Sequence, residues 1–426
     1  MHLNPRIAAL LEGMNHPSLP GIDLSLTRME QLLAALGNPE RRVPPVIHLA
    51  GTNGKGSVLA FLRAIYQAAG YSVHAYTSPH LVQFNERIVL NGHEIADDVL
   101  EPLLARVSAL ARDIPVTFFE ATTAAAFLAF AEHPADVLLL ETGLGGRLDA
   151  TNVVPAPAMT VITPIGFDHM EFLGGTMETI AAEKAGIIKP GVPCIVGAQT
   201  EAVQKVLARA AYAKRAPLLV QGVGWDFGVQ GEAMHVAQGL ESWKLPMPSL
   251  PGAHQYHNAA LASVVAKNCA VLPVTDDALQ AGVAHAVWPG RLQRLTHGPL
   301  VEAWGARGAV YLDGGHNGHA AQALAAWMGT QSQPITLIAG MMARKNAVAF
   351  FKPLAPHVAR VIAVPIPCND CYAPEALAAI AQSVGAASVA AAEMENIRAA
   401  LEKSPAGTLL IAGSLFLVGE VLKNHS

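Results

Sequence analysis

Charge is scarce in this sequence: of 426 residues, only 14% are Asp, Glu, Lys or Arg, against roughly 25% in an average soluble domain. Hydrophobic residues make up 52%. That balance excludes a disordered chain and points to large buried sheets and helices rich in small residues. Long apolar runs are also missing. None reaches the ~18 residues of a membrane span, and the longest candidate, ATTAAAFLAFAEH, ends in Glu132 and His133. The first residues, MHLNPRIAALLEGMNHPS, lack an uninterrupted apolar stretch followed by a cleavage site, so no signal peptide and a cytoplasmic location are expected. The net charge of -5 offers no bulk attraction to nucleic acid. Cysteine is rare: Cys194 and Cys269 stand alone, and Cys368 and Cys371 form one CNDC. A structural zinc site wants four ligands. The pair therefore reads as a loop between strand and helix, with a redox pair as a remote alternative.

What the sequence does have is alternation. Apolar runs of strand length (VIHLAG, YSVHAYTS, DVLLLETG, AMTVITPIG, PCIVGA) alternate with helix-length segments. Continuous apolar runs mark parallel strands covered on both faces. Residues 218 to 250 read as shorter β structure. At 288–299, WPGRLQRLTHGP carries Pro-Gly at one end and Gly-Pro at the other. The alternation then resumes on a smaller scale. The expectation is an α/β protein: a large parallel-sheet domain of P-loop type over residues 1–295, then a smaller Rossmann-like α/β domain over 296–426.

The first strand runs into HLAGTNGKGSV, with Gly51, Gly54 and Gly56 around Lys55, and a helix is expected from about Ser57 to Ala69. Strand, glycine turn and helix start form a polyphosphate cradle. Glycines admit close approach of backbone N–H groups, and the helix N-terminus adds a favourable dipole. Lys55 can offset phosphate charge and Ser57 can ligate Mg²⁺. The strict G-x-x-x-x-G-K-[ST] pattern is not met, because position 49 is Leu and Gly56 separates Lys55 from Ser57. A tight turn with a solvated lysine is the alternative. ADVLLLETGLGG ends its strand in Glu141, either a second metal anchor or merely the first exposed residue after a core strand. Three further polar clusters follow strands: TSPHLVQFNERI with Ser78, His80, Asn85, Glu86 and Arg87; TPIGFDHMEFLG with Asp168 and His169; and LDGGHNGH with Asp313, His316 and His319. Several such clusters at strand ends suggest a built site.

GTNGKGS, TSPHLVQFNERI, ETGLGGRLDATN, DHMEFLGGTMETIAAEKAGIIK, HQYHNA, PGR and LDGGHN, in this order, resemble the folylpolyglutamate synthase/dihydrofolate synthase family of the Mur ligase superfamily. The early GIDLSLTRMEQLLAALGNPE and the late AGSLFLVGEVL fit as well. The resemblance implies ATP-dependent amide formation to L-glutamate, from dihydropteroate or from folates, through an acyl phosphate. It implies phosphate binding by Gly54, Lys55, Gly56 and Ser57, and nucleotide contacts at Asn258, Arg291 and Asp313. Two Mg²⁺ ions are implied, with Ser57 and Glu141 at metal positions and Ser78 and His169 at the second.

Lys184 matches a lysine that the superfamily carbamylates. From the residues alone it reads as a solvated lysine paired with Glu183 or Glu178, and Lys189 is its confusable neighbour. By the resemblance His316 falls near the reacting end, on the glutamate side; the alternative is a histidine that satisfies a turn backbone. The acid is placed by Phe119 and Glu120, then Leu148, Asp149 and Ala150, with Phe119 stacking on a flat ring, although Phe118 and Phe119 can equally serve a core. DGGHN replaces the usual Asp-Gly-Ala-His-Asn. AGMMARKNA keeps Lys345 but lacks the acids usual there. IDLSLTRM resembles versions that accept dihydropteroate, which favours a bifunctional enzyme. The alternatives are a monofunctional folylpolyglutamate synthase, a cell-wall amino-acid ligase, and, from another class, a nucleotide switch or transport ATPase. By analogy with the family a monomer is expected, with small-molecule partners and neither nucleic acid nor membrane.

Overall fold

A computed structural model describes residues 4–14 and 24–424. Gly21, Ile22 and Asp23 of the early family-like stretch lie outside the described residues, as do the first three residues and 15–20.

The first sheet takes β1 (Val46–Ala50), β2 (Val73–Tyr76), β3 (Ile88–Leu90), β4 (His93–Glu94), β5 (Val137–Glu141), β6 (Met159–Ile162), β7 (Cys194–Val196) and β8 (Leu218–Val220). Their order is β4-β3-β2-β5-β1-β6-β7-β8. The strands from β2 through β8 in this order run parallel, and β3 and β4 add an antiparallel edge. β1 and β5 are buried along their whole length, as expected of central parallel strands with helices on both faces. One face is packed by the helices Asp97–Leu110 and Phe118–Glu132 through Leu100, Leu104, Phe127 and Phe130. Another core gathers Ile162, Val196, Ile180 and Leu207, from strands and the helices Met177–Lys184 and Glu201–Ala213. Residues 226–246 form a small antiparallel sheet of β9 (Asp226–Gln230), β10 (Ala233–Gln238) and β11 (Glu241–Pro246).

The second large sheet takes β12 (Gln293–Leu295), β13 (Val310–Leu312), β14 (Ile335–Ala339), β15 (Arg360–Ala363), β16 (Val389–Ala391) and β17 (Thr408–Ala412), in the order β12-β13-β17-β14-β15-β16. All of its pairings are parallel except β12 with β13. Its core includes Leu337, Leu410, Phe350 and Leu377. The chain divides into two compact units, Met1–Ser249 with Tyr256–Val287, and Leu250–Gln255 with Trp288–Ser426. The Pro-Gly of 289–290 falls beside that division, and β12 belongs to the second sheet. Cys368 and Cys371 lie in the loop between β15 and the helix Pro374–Ser383. No helix among the described residues is long and apolar enough to cross a membrane.

Candidate active site

Parallel strands leave their carboxyl ends as a row of loops, and ligands of such sheets bind there. After β1 the chain turns through Gly51–Gly54 into the helix Lys55–Ala68, which begins two residues earlier than the sequence suggests. Gly54 is the N-cap in a left-handed conformation, φ +89°. A Cβ there would lie 2.7 Å from Asn258 Oδ1, so only glycine fits. Gly54 offers no side chain to cap the helix. The turn is braced from outside, Thr52 Oγ1 both donating to Gly166 O and accepting from Gly166 N, each at 3.0 Å.

Two lysines converge on one carbonyl. Lys55 Nζ donates to Gly51 O at 3.3 Å and lies 3.6 Å from Glu141 Oε1, the last residue of β5. Lys184 Nζ donates to the same oxygen at 2.9 Å. Lys184 is 4% exposed, so the surface-lysine alternative fails. Glu183 pairs instead with Arg147, at 2.8 Å. Burial first, and then the Lys55 charge, push the Lys184 ammonium down to about 7. Lys189 is a different case: it donates to Asn152 O at 3.0 Å and braces the loop that follows β5. Ser57 is buried in the first helical turn. His169 takes a left-handed backbone, φ +51°, as N-cap of Met170–Leu173, with Nε2 3.9 Å from Asp168 Oδ1.

Beside this cluster lies a mainly apolar cavity of about 220 Å³. Phe119, Glu120, Leu148, Asp149 and Ala150 all line it, together with Ser78, Arg87, Thr117, Gly143, Leu144, Leu24, Ser25 and Pro79. The Phe119 ring rests on Gly143, where a Cβ would come within 2.4 Å of it.

Two carboxylates here are occupied by the fold. The helix starts at Phe118, which makes Glu120 the third residue of a capping box. Glu120 Oε2 accepts from Thr117 N at 2.7 Å and from Thr117 Oγ1 at 2.8 Å. Glu120 also pairs with Arg28, at 3.3 Å. Asp149 accepts from Leu144 N at 2.8 Å, Thr151 N at 2.9 Å and Thr151 Oγ1 at 2.5 Å. Burial raises its pKa, and those donors oppose the rise. Both carboxylates thus also brace the cavity's walls, which they line. Thr117-x-x-Glu120 is a capping-box signature legible in the sequence, whereas nothing local marks Arg28. Arg87 donates to His80 Nδ1 at 2.9 Å and lies over the rings of Phe84 and Phe118. Phe118 thus serves packing while Phe119 faces the cavity.

In the second unit, Asp313 follows β13 and accepts from Leu292 N at 2.9 Å and Gly315 N at 2.7 Å. Arg291 donates to Gly290 O at 3.0 Å, and His316 Nδ1 is 2.9 Å from Gly314 O. Asn258 belongs to the first unit, on the helix Ala253–Asn268.

A parallel sheet with an uncapped glycine turn, a lysine–glutamate pair and a second buried lysine is the arrangement of an ATP-dependent ligase of the Mur type. The Mur ligase middle domain matches residues 49–266, and the dihydrofolate synthetase C-terminal domain matches 300–424. The chain belongs to the dihydrofolate synthase/folylpolyglutamate synthase family. It is 42% identical, over 72% of its length and 73% of the relative's, to the dihydrofolate synthase/folylpolyglutamate synthase of Bacillus subtilis. The structure of E. coli FolC in complex with DHPP and ADP covers 99% of this chain and 97% of its own, with a TM-score of 0.88 and 32% identity. A bifunctional folylpolyglutamate synthase/dihydrofolate synthase with Mn, AMPPNP and L-glutamate bound covers 98% and 97%, with a TM-score of 0.86 and 30% identity.

Proposed function

We propose that this chain uses ATP to join L-glutamate to dihydropteroate, forming dihydrofolate, and to the glutamate tail of tetrahydrofolates. The observation that carries this reading is one edge of one sheet, where the glycine turn with its Lys55–Glu141 pair stands beside the cavity lined by Phe119, Leu148 and Asp149. The triphosphate lies over Gly54–Ser57, whose first-turn amides have no side-chain cap. The acid lies in the cavity with Phe119 against its flat ring, and Glu120, Asp149 and Ala150 complete the wall. An oxygen of the acid's carboxylate attacks the γ-phosphorus, the bridging P–O bond breaks, and ADP leaves. The glutamate amine then attacks the acyl carbon, phosphate departs, and the nitrogen loses its proton. Lys55 offsets charge on the phosphoryl group in the first step.

Mg²⁺ fits the donors present. It keeps several waters and takes one or two protein ligands plus phosphate oxygens. A buried hydroxyl at Ser57 and a carboxylate at Glu141 suit that habit. Among the described residues no cluster of three or more His, Cys, Asp or Glu offers an all-protein cage. Ser78 and His169 are assigned to a second ion. When bound, the two ions supply neutralisation of the phosphate charge. Lys184 is assigned a carbamate: CO₂ adds only to a neutral amine, and an ammonium held down to about 7 supplies one near neutrality. Asn258, Arg291 and Asp313 are assigned to the nucleotide and His316 to glutamate. Residues 1–295 are assigned the acid and the triphosphate, and 296–426 glutamate, with Asp313 lent to the nucleotide.

Phosphate release from ATP tests the reading. It should require acid and glutamate together, with dihydropteroate and tetrahydrofolate each active. Release with neither present would favour a nucleotide switch. Activity with tetrahydrofolate alone would reduce the protein to a folylpolyglutamate synthase.

A further inference from the structure

Beneath the cavity wall runs a line of side chains that the reaction above does not use. His48 sits on β1, fully buried, between Leu140 of β5 and Thr160 of β6. Its Nε2 lies 2.8 Å from Thr151 Oγ1, and Thr151 Oγ1 donates to Asp149 Oδ1 at 2.5 Å. His48 Nδ1 is buried and has no hydrogen-bond partner.

Proton counting orients the line. A threonine hydroxyl has one hydrogen, and here it goes to the carboxylate. Toward His48 the same oxygen can only accept, so Nε2 carries the ring hydrogen. Burial first, then the Lys189 charge, push the His48 pKa down to about 3, so the ring is neutral. Nδ1 is then a bare lone pair, consistent with its lack of a partner, since an orphaned buried N–H is rarer still. With His48 filling its acceptor site, the Thr151 hydroxyl has one low-energy direction, toward Asp149. Asp149 Oδ1 then holds two donors from Thr151, and Oδ2 holds Leu144 N. The Gly143 amide also acts on the carboxylate, so Asp149, which lines the cavity, is held from several sides.

We propose that His48 and Thr151 are positioning residues for recognition of the acid substrate. The His48 N–H sets the Thr151 hydroxyl, and the hydroxyl fixes the orientation of the Asp149 carboxylate on the cavity wall. This rests on the reading that the acid occupies that cavity.

Steady-state kinetics separate the two ideas. Losing one hydrogen bond to a charged group costs about 1.5–3 kcal/mol, or about 10–100-fold. Thr151→Val keeps the shape and removes the hydroxyl. It should raise KM for dihydropteroate about tenfold or more, with KM for ATP and kcat at saturating acid moving about twofold or less. Thr151→Ser should restore the wild-type KM. His48→Leu should reproduce the Thr151→Val effect. Should the buried strand reject leucine, the valine and serine variants decide alone. If Asp149→Asn raises KM for dihydropteroate but Thr151→Val does not, the positioning role is overturned and the cavity reading stands. If Asp149→Asn leaves that KM unchanged, the cavity reading falls and this proposal with it. A uniform rise of all three KM values with a lowered Tm in Thr151→Val would show general loosening and would also overturn the proposal.

Discussion

The strand ends that carry the polar loops of the two parallel sheets are finished differently. In the second sheet three of the five parallel strands run through a loop into a helix capped by a side chain, and the helices after β15 and β16 have none. Asn317 after β13 accepts from Ala320 N at 2.9 Å, Asn346 after β14 from Ala349 N at 2.9 Å, and Ser414 after β17 from Phe416 N at 3.1 Å. Asp313 uses both carboxylate oxygens on backbone amides of its own unit. In the first sheet the helix after β1 begins at a glycine with no side-chain cap, and two ammonium groups share one carbonyl oxygen. Crowding like charges in a buried place costs free energy, and a glycine N-cap in place of a capping side chain forgoes a few tenths of a kcal/mol. The first edge has given up stability that the second has kept, as expected where charge and amides are set aside for an anionic ligand.

Four substitutions break or sharpen that contrast. The largest effect is expected at Lys55→Ala, which removes the cation assigned above to the phosphoryl group. Turnover should fall about 10²–10³-fold or more, while circular dichroism shows an intact fold. Near-normal turnover would end the phosphate role.

Lys184→Ala comes next, with a loss of about 10²-fold partly restored by added acetate or another small carboxylate. A Lys184 variant that works normally without additive rules out a carbamate here. The same lysine carries a pH signature. Its ammonium is held below the ordinary value of 10.5, at about 7, so the unfolded chain binds the extra proton between those limits. Folding stability should therefore rise with pH from about 7 to about 10.5. Below that window the full penalty of the buried charge is present, and above it none. Urea titrations of wild type and Lys184→Met across the window should differ in this slope, and parallel curves would contradict the burial argument.

In the second unit, Asp313→Ala leaves two backbone amides without their acceptor and should cost about 1–3 kcal/mol, read as a lower urea midpoint at unchanged slope. Asn346→Ala should cost least, about 0.5–2 kcal/mol, with kcat changed far less than in the two lysine variants. A stability loss at Asn346 below the error of the melt would blunt the contrast between the edges.

Much of this architecture is legible without coordinates. VIHLAG, DVLLLETG and MTVI are continuous apolar runs, and these form β1, β5 and β6 at the centre of the sheet. HLAGTNGKGSV reads as a strand, a turn and a helix because glycine at φ +89° is a local requirement that leaves a local mark. The five residues expected to touch the acid do line one cavity. The helix start, however, lies at Lys55 rather than Ser57, since Gly54 in a left-handed conformation lets the helix begin directly after it. Arg28 was not legible, because its partner Glu120 is 92 positions away and a lone arginine in an amphipathic helix carries no signal.

Residue order alone determined the alternation of strands and helices, the glycine turn, and the loops that carry polar groups, because each follows from preferences within a few neighbouring residues. Only the tertiary structure decided which of Lys184 and Lys189 meets the glycine turn, and that Glu120 and Asp149 are built into walls. Lys184 lies 133 positions from the carbonyl it touches. Its loss of water, and with it its altered proton affinity, arises from segments that become neighbours only when the sheet closes.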